Sequence, residues 1–292
     1  GIWMGSAGKA DIREGVDFRP CTVSKVASMT KMFLVTAVMQ LREQGKINID
    51  DKISKWLSAD IVNKVDNADQ VTIRDLMQHT TGIYDIIFDS DFYLAVLNNP
   101  NKHWTGKELI KFAYNKPAVF SYKDTLQKAE YSNTNTLLLS MCLEAISSRP
   151  HHELLKELVF NKVGMKNSYY GNTYKIIANR ANGYQLYEGN YENAEYMSTT
   201  IPYAAGSLMS TIDDMFLWYK AIHQNTLISA KSKQLAFTNH TLNNGKHSNY
   251  GYGWFINEIA GITTLEHTGG INGFTTSGIY IPESNSYAVV LS

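Results

Sequence analysis

The sequence predicts an α+β fold, an antiparallel β-sheet flanked by helices with an all-helical second domain. Three observations predict it. The chain opens on a strand-like run, its middle carries helical patterns punctuated by Gly, Asn and Pro, and the segment after residue 250 turns into short β-type runs. The implied division is a discontinuous sheet domain, residues 1–50 and 201–292, and a mainly helical domain over 51–200.

Residues 1–12 mix apolar and small residues around Gly5-Ser6-Ala7-Gly8 and read as a strand or part of a hairpin. The chain starts inside this run, at Gly1-Ile2-Trp3, and stops inside another, at Val289-Val290-Leu291-Ser292, so it reads as trimmed at both ends. Residues 29–44 give the clearest helix. Met32, Phe33, Val35, Ala37, Val38, Met39 and Leu41 make it apolar nearly all round, which places it in the middle of the fold. Ser28 stands where an N-cap belongs and Gly45 where a C′ residue belongs. Further helices are expected over residues 73–78, 106–114, 134–147 and 151–162. Residues 170–200 are rich in Tyr, Asn and Gly without periodicity and predict loops and short strands. Thr211 is a cap for a helix over 212–223, with Asp213 and Asp214 favouring the dipole in its first turn. The runs 250–258, 261–267, 274–281 and 286–291 are joined by short turns, which implies an antiparallel meander.

Composition excludes several classes. Apolar residues make up 44% and charged residues 18%, an ordinary globular balance. Lys+Arg and Asp+Glu both total 27, so no basic excess points to nucleic acid or an anionic membrane surface. No run approaches the roughly 18 apolar residues that span a bilayer. Cys21 and Cys142 are too few for a disulfide framework, and Cys142, in an apolar run, reads as a buried thiol.

The S-x-x-K pattern occurs twice, at Ser6–Lys9 and Ser28–Lys31, and composition alone yields roughly one or two such matches by chance. Context separates them: the first is a glycine-bearing turn, the second opens the buried helix. There, residues i and i+3 share a face, so the amine reaches the hydroxyl. Burial disfavours the lysine's charge and creates a neutral amine base, while the helix N-terminus suits a developing oxyanion. Tyr131-Ser132-Asn133 precedes another apolar helix. A tyrosine at such an entrance donates and accepts a proton, and beside an ammonium its pKa is expected to fall. Asn133 is placed to orient an amide or ester carbonyl. His267-Thr268-Gly269-Gly270 reads as the end of a strand, where two glycines permit close approach of a substrate backbone.

These elements, in this order, resemble the serine β-lactamase-like family, which includes class C β-lactamases, DD-peptidases, family VIII carboxylesterases and related amidases. The resemblance covers nearly the whole chain. Lys25-Val26-Ala27-Ser28-Met29-Thr30-Lys31-Met32-Phe33 looks like the family's nucleophile segment, and the stretch from Thr72 to Ile83 like its recurrent structural segment. Tyr131-Ser132-Asn133, the run from Ala204 to Thr211, Tyr250-Gly251-Tyr252-Gly253-Trp254 and His267-Thr268-Gly269-Gly270 follow in family order. The resemblance implies a β-lactamase/DD-peptidase-like fold with the site between sheet and helical domain. It implies Ser28 as nucleophile, Lys31 and Tyr131 sharing proton transfer, and Asn133, His267, Thr268 and Gly269 at the substrate. It also implies an oxyanion hole from the Ser28 and Gly270 N–H groups, no cofactor or metal, a small-molecule or peptide substrate, and an extracytoplasmic location.

One departure bears on substrate. Class C β-lactamases usually carry Lys-Thr-Gly where this chain has His267-Thr268-Gly269. A mostly neutral histidine removes a permanent cation, so esters or D-peptides are expected to turn over faster than cephalosporins. Other signatures fail: His152-Glu153-Leu154-Leu155-Lys156 lacks the second histidine of a zinc motif, and no serine sits in G-x-S-x-G. The remaining histidines, His79 among them, are expected to be structural or solvated, and the aromatic stretch around Tyr84–Tyr93 offers either a cleft lining or packing of the helical domain, of which packing is expected. The alternative to an acyl-enzyme hydrolase is a catalytically silent binding or scaffold protein on the same fold.

Overall fold

The structure, a computed structural model, describes every residue except 123–127, 172–175 and 196. α1 (Thr30–Glu43) lies at the centre. Every residue from Thr30 to Leu41 is buried, polar Lys31 and Gln40 included. The expected N-cap is corrected here: Ser28 belongs to a 3₁₀ turn, Ala27–Met29, and Met29 caps α1 without a side-chain bond. The serine hydroxyl is therefore not consumed by capping. Gly45 follows the helix with φ +70°, as its C′ position predicts.

α2 (Ala59–Lys64), α3 (Ile73–Gln78), α4 (Ser90–Asn98) and α5 (Gly106–Leu109) follow. The cap of α3 is a capping box: Thr72 accepts from the Asp75 N–H, and the Asp75 carboxylate accepts from the Thr72 N–H at 2.8 Å. Sequence reading passed over α4. Its signals are Asp89, whose carboxylate accepts from Phe92 N–H at 3.0 Å, and the buried i, i+4 pair Phe92 and Val96. The helix expected over 106–114 is α5 followed by a 3₁₀ turn, Ile110–Ala113.

α6 (Asn133–Ser147) begins one residue earlier than expected. The helical run expected over 151–162 splits into α7 (His151–Leu155), a π-turn Lys156–Phe160 and α8 (Asn161–Val163). Gln40 of α1 enters at the π-turn, its amide donating to Leu158 O at 2.8 Å, which explains the widened turn. α9 (Ile212–His223) carries the predicted Thr211 cap, which accepts from Asp214 N–H at 3.2 Å, and α10 (Ala230–Ala236) follows it.

The strands before α9 are short. β1 (Lys9–Asp11) and β2 (Val16–Asp17) form a small hairpin. Residues 1–7, read from the sequence as strand, have no regular structure. β3 (Ser24–Lys25), β4 (Tyr169–Tyr170) and β7 (Leu208–Ser210) make one patch, and β5 (Tyr184–Tyr187) and β6 (Asn190–Asn193) a hairpin. The predicted meander is present. β8 (Phe255–Ile259), β9 (Ile262–Ile271), β10 (Phe274–Ile281) and β11 (Ser286–Leu291) pair antiparallel in chain order.

β9 runs four residues past its expected end, so His267-Thr268-Gly269-Gly270 lies inside a strand, with Ser277 opposite Thr268 and Thr275 opposite Gly270. Two glycines do not end it because each is paired to β10. α9 joins sheet to core: Tyr219 stacks on Tyr287 of β11, and Trp218 stacks between Phe33 of α1 and Trp254. The main apolar cluster extends from Val26 to Leu291, and a smaller one joins Ala10, Ala181 and Phe274.

Candidate active site

The turn carrying Ser28 is held in an unusual shape. Ala27 has φ +47°, a left-handed conformation that L residues rarely adopt. Neighbours fix it. Thr30 Oγ1 donates to Ala27 O at 2.7 Å, and Leu208 N–H of β7 donates to Thr30 Oγ1 at 3.2 Å. From the other side, the Thr276 hydroxyl donates to Val26 O at 3.1 Å. Gly269 makes that approach feasible: a Cβ there would stand 2.5 Å from Thr276 Oγ1, 2.7 Å from Val26 O and 2.9 Å from Ala27 Cβ.

Lys31, 2% exposed, points its amine at this turn. Nζ donates to Ser28 Oγ at 3.2 Å, to Asn133 Oδ1 at 2.9 Å and to Ala205 O at 2.9 Å. Burial lowers its pKa to about 7, and the nearby Asp85 carboxylate offsets part of that fall. Asp85 is a site residue that sequence reading missed. Its Oδ2 accepts from both the Asn133 N–H at 2.8 Å and the Asn133 side-chain amide at 3.0 Å. That fixes which end of the Asn133 amide faces Lys31. Desolvation raises the Asp85 pKa, and the bonds from Asn133 oppose the rise.

Tyr131 completes the group. Lys31 Nζ lies 4.9 Å from the centre of its ring. The ring is packed by His79 at 4.5 Å and Phe255 at 5.9 Å, with Tyr250 and His267 slightly farther. The expected fall of the Tyr131 pKa is reversed: burial pushes it well above the ordinary phenol, and the Ser28 hydroxyl beside it only partly opposes this. The phenol oxygen makes no closed hydrogen bond among the described residues, so Ser28 adjoins it without being bonded to it. Burial, with the Asp85 carboxylate nearby, defeats the expectation.

Both neighbouring histidines are buried bases. His267 Nδ1 lies 2.6 Å from Thr268 O and Nε2 lies 3.1 Å from Tyr250 Oη, which assigns the proton to Nδ1 and makes Nε2 the acceptor. Burial, with Lys31 nearby, lowers the His267 pKa to about 3, so the ring is neutral at pH 7. His79 Nδ1 accepts from Ser132 N–H at 3.2 Å and faces the Asn135 amide at 3.1 Å, and its pKa is also well lowered by burial. It steadies the turn into α6, a structural part as the sequence suggested.

A cleft of about 600 Å³ opens over the group. Ser28, Tyr131, Asn133 and Gly270 line it, and Lys31 lies beneath. Behind this lining His267 is buried under Tyr250 and Gly269 is pressed against the Ser28 turn, while Thr268 is exposed two residues before Gly270, on the same face of β9. Ile86, Ile87, Phe92 and Tyr93 do border it, so the aromatic stretch before and within α4 lines the cleft as well as packing the helices. Among the described residues no cluster of metal-type ligands occurs, and no helix is long and apolar enough to cross a membrane. Cys142 is buried and unbonded to Cys21. Chemically, the arrangement offers a hydroxyl, a buried amine that can be neutral, and a protonated phenol around one oxygen.

The comparisons with known proteins agree with this architecture. A sequence profile of the Beta-lactamase family matches residues 2–292. The chain is 26% identical over 304 residues to penicillin-binding protein 4* of Bacillus subtilis (strain 168), covering 100% of this chain and 65% of that protein. It is 27% identical to the putative penicillin-binding protein PbpX of the same organism, over 85% of this chain and 57% of the relative. This chain thus spans about three fifths of those relatives' length. Among solved structures, a penicillin binding protein from Bacillus halodurans superposes with TM-score 0.83 at 26% identity, covering 99% of this chain and 86% of that one. A D-stereospecific amidohydrolase from Streptomyces sp. shares the fold with TM-score 0.82 at 23% identity, covering 92% and 81%. With the profile running through nearly all of it and the antiparallel sheet and helices superposing on solved members, the chain belongs to the beta-lactamase family.

Proposed function

We propose that this protein is a serine hydrolase that forms an acyl-enzyme on Ser28, acting on an ester or on a D-amino-acid amide or peptide in preference to a cephalosporin. The observation that carries the reading is the 3.2 Å contact between Ser28 Oγ and a fully buried lysine amine whose pKa is lowered to about 7. Neutral Lys31 takes the Ser28 proton as Oγ attacks the carbonyl carbon. The N–H groups of Ser28 and Gly270 receive the developing oxyanion. Tyr131, which holds its proton at pH 7, gives it to the departing oxygen or nitrogen and is reprotonated from Lys31. Water then releases the acid from Ser28 by the reverse proton path. Asn133, held by Asp85, orients the substrate carbonyl or amide.

Neutral His267 supports the substrate ranking, since it supplies no cation for a β-lactam carboxylate. Fold neighbours described as D-amino acid amidases make amides one of the bonds to assay. An extracytoplasmic setting is proposed with this function, following the penicillin-binding relatives. The test is covalent labelling with a fluorophosphonate and with a fluorescent penicillin. The wild type is expected to carry the label on Ser28, Ser28→Ala none, and Lys31→Ala to react at least about a hundredfold more slowly. An unlabelled wild type would support a silent binding protein instead.

A further inference from the structure

The cleft walls differ from its catalytic floor. Ile86, Phe92, Val96 and Leu137 turn apolar surface inward from the segment before α4, from α4 itself and from α6. Phe92 and Val96 are 6% and 1% exposed, and both sit on the inner face of α4. One step round the same helix, Tyr93 and Leu97 also border the cleft, yet they are 53% and 56% exposed. They too are an i, i+4 pair, so they form a second stripe that carries the apolar wall out to the rim. Leu94 of the same helix and Phe88 in the turn before it are exposed as well, at 57% and 74%. An apolar surface left open at the mouth of a cleft marks a binding surface far more often than chance exposure does.

Charge tells the same story by its scarcity. Lys25 is the single charged side chain among the described residues lining the cleft, and Glu195 pairs with it at 2.8 Å. The His267 ring is buried away from the cavity. A carboxylate-ended substrate finds a single cation among the described lining residues, Lys25, which shares the Glu195 carboxylate with Arg180 at 2.6 Å, whereas an apolar group finds a continuous wall.

We infer that the substrate carries an uncharged apolar group of roughly six or more carbons beside the scissile carbonyl, seated between α4 and α6 and ending on Tyr93 and Leu97. This rests on the serine hydrolase reading above. The group can belong to the acyl part or to the leaving part, and both present the same chemistry to the wall. A methylene moved fully from water onto such a wall favours binding by about fourfold. Partial burial of a four- to six-carbon extension is therefore expected to raise kcat/KM at least about tenfold.

The test compares two ester series below their micelle concentrations: p-nitrophenyl acetate to octanoate for the acyl side, and ethyl to octyl acetate for the leaving side. The expected result is a rise of at least about tenfold in kcat/KM along one series, and the series that rises names the side. Leu97→Glu and Tyr93→Glu, both at exposed helix positions, are expected to cut the long-to-short ratio at least fivefold, roughly the worth of one or two methylenes. A flat or falling profile in both series overturns the inference, as does a ratio that neither variant moves. If no ester is turned over and Ser28 takes no label, the hydrolase reading itself falls and takes this inference with it.

Discussion

Lys31 must lose its proton before it can accept one from Ser28. With its pKa lowered to about 7, the amine is mostly charged at pH 6 and mostly neutral at pH 8. Acylation is expected to rise with pH across that interval, which a labelling-rate profile measures. The titratable groups facing Lys31 are Asp85, Tyr131, His79 and His267. Both histidines and the phenol are neutral there, and the Asp85 carboxylate holds the lysine pKa up. Asp85→Asn is therefore expected to move the acid limb to lower pH and, by loosening Asn133, to lower the plateau by about tenfold to a hundredfold. A lower plateau with an unmoved midpoint would reduce Asp85 to a purely structural part. The Ser28–Lys31 pair was legible because helix spacing alone puts i and i+3 on one face. Asp85 was not, since its partner Asn133 lies 48 residues away and nothing local marks the contact. The phenol's pKa was misjudged for a related reason: sequence shows a lysine in a motif but not the burial that outweighs its charge.

The meander after residue 250 was legible because each strand is bounded by its own turn residues. The end of β9 was not, because glycine serves both to break a strand and to admit a close neighbour. At Gly269 the second use applies. The strand and the Ser28 turn approach so closely that a methyl group would overlap Thr276, Val26 and Ala27. Gly269→Ala is expected to force β9 away from the turn, costing about 1–3 kcal/mol and about 2–6 °C in Tm, with slower labelling of Ser28. Gly270 provides the control within the same strand. A Cβ there meets no atom within 4 Å, because the position opens into the cleft. Gly270→Ala is expected to keep the Tm within about 1 °C while lowering turnover, since the methyl occupies substrate space. Equal stability losses in both variants would contradict the packing argument. α4 escaped the sequence reading because its apolar residues run unbroken from Phe92 to Leu97 in a nine-residue helix, so no period singles out the buried pair Phe92 and Val96.

The whole molecule keeps several bases neutral in its buried interior, and that ties its stability to pH. His267 has a folded pKa lowered to about 3 against an ordinary value near 6.5 in the unfolded chain. Between those values the unfolded chain binds a proton that the folded chain refuses. Stability therefore rises with pH through this window, by about 1.4 kcal/mol per unit for each such group, and is fully present above it. His79 acts in the same sense, and Lys31 continues the rise from about pH 7 towards the ordinary lysine range. Asp85 and Asp214, whose pKa values are raised by desolvation, act in the opposite sense above the ordinary carboxylate range. The histidine contribution is separable by substitution. Urea midpoints measured between pH 5 and pH 6.5 are expected to climb steeply in the wild type and less steeply in His267→Gln, which retains a polar side chain beside Tyr250 but cannot titrate. The slope carries the argument, because the substitution also changes packing and so shifts every midpoint by a constant. Parallel slopes in the two proteins would mean that His267 takes up its proton alike in the folded and the unfolded chain, and burial would not be what holds its pKa down.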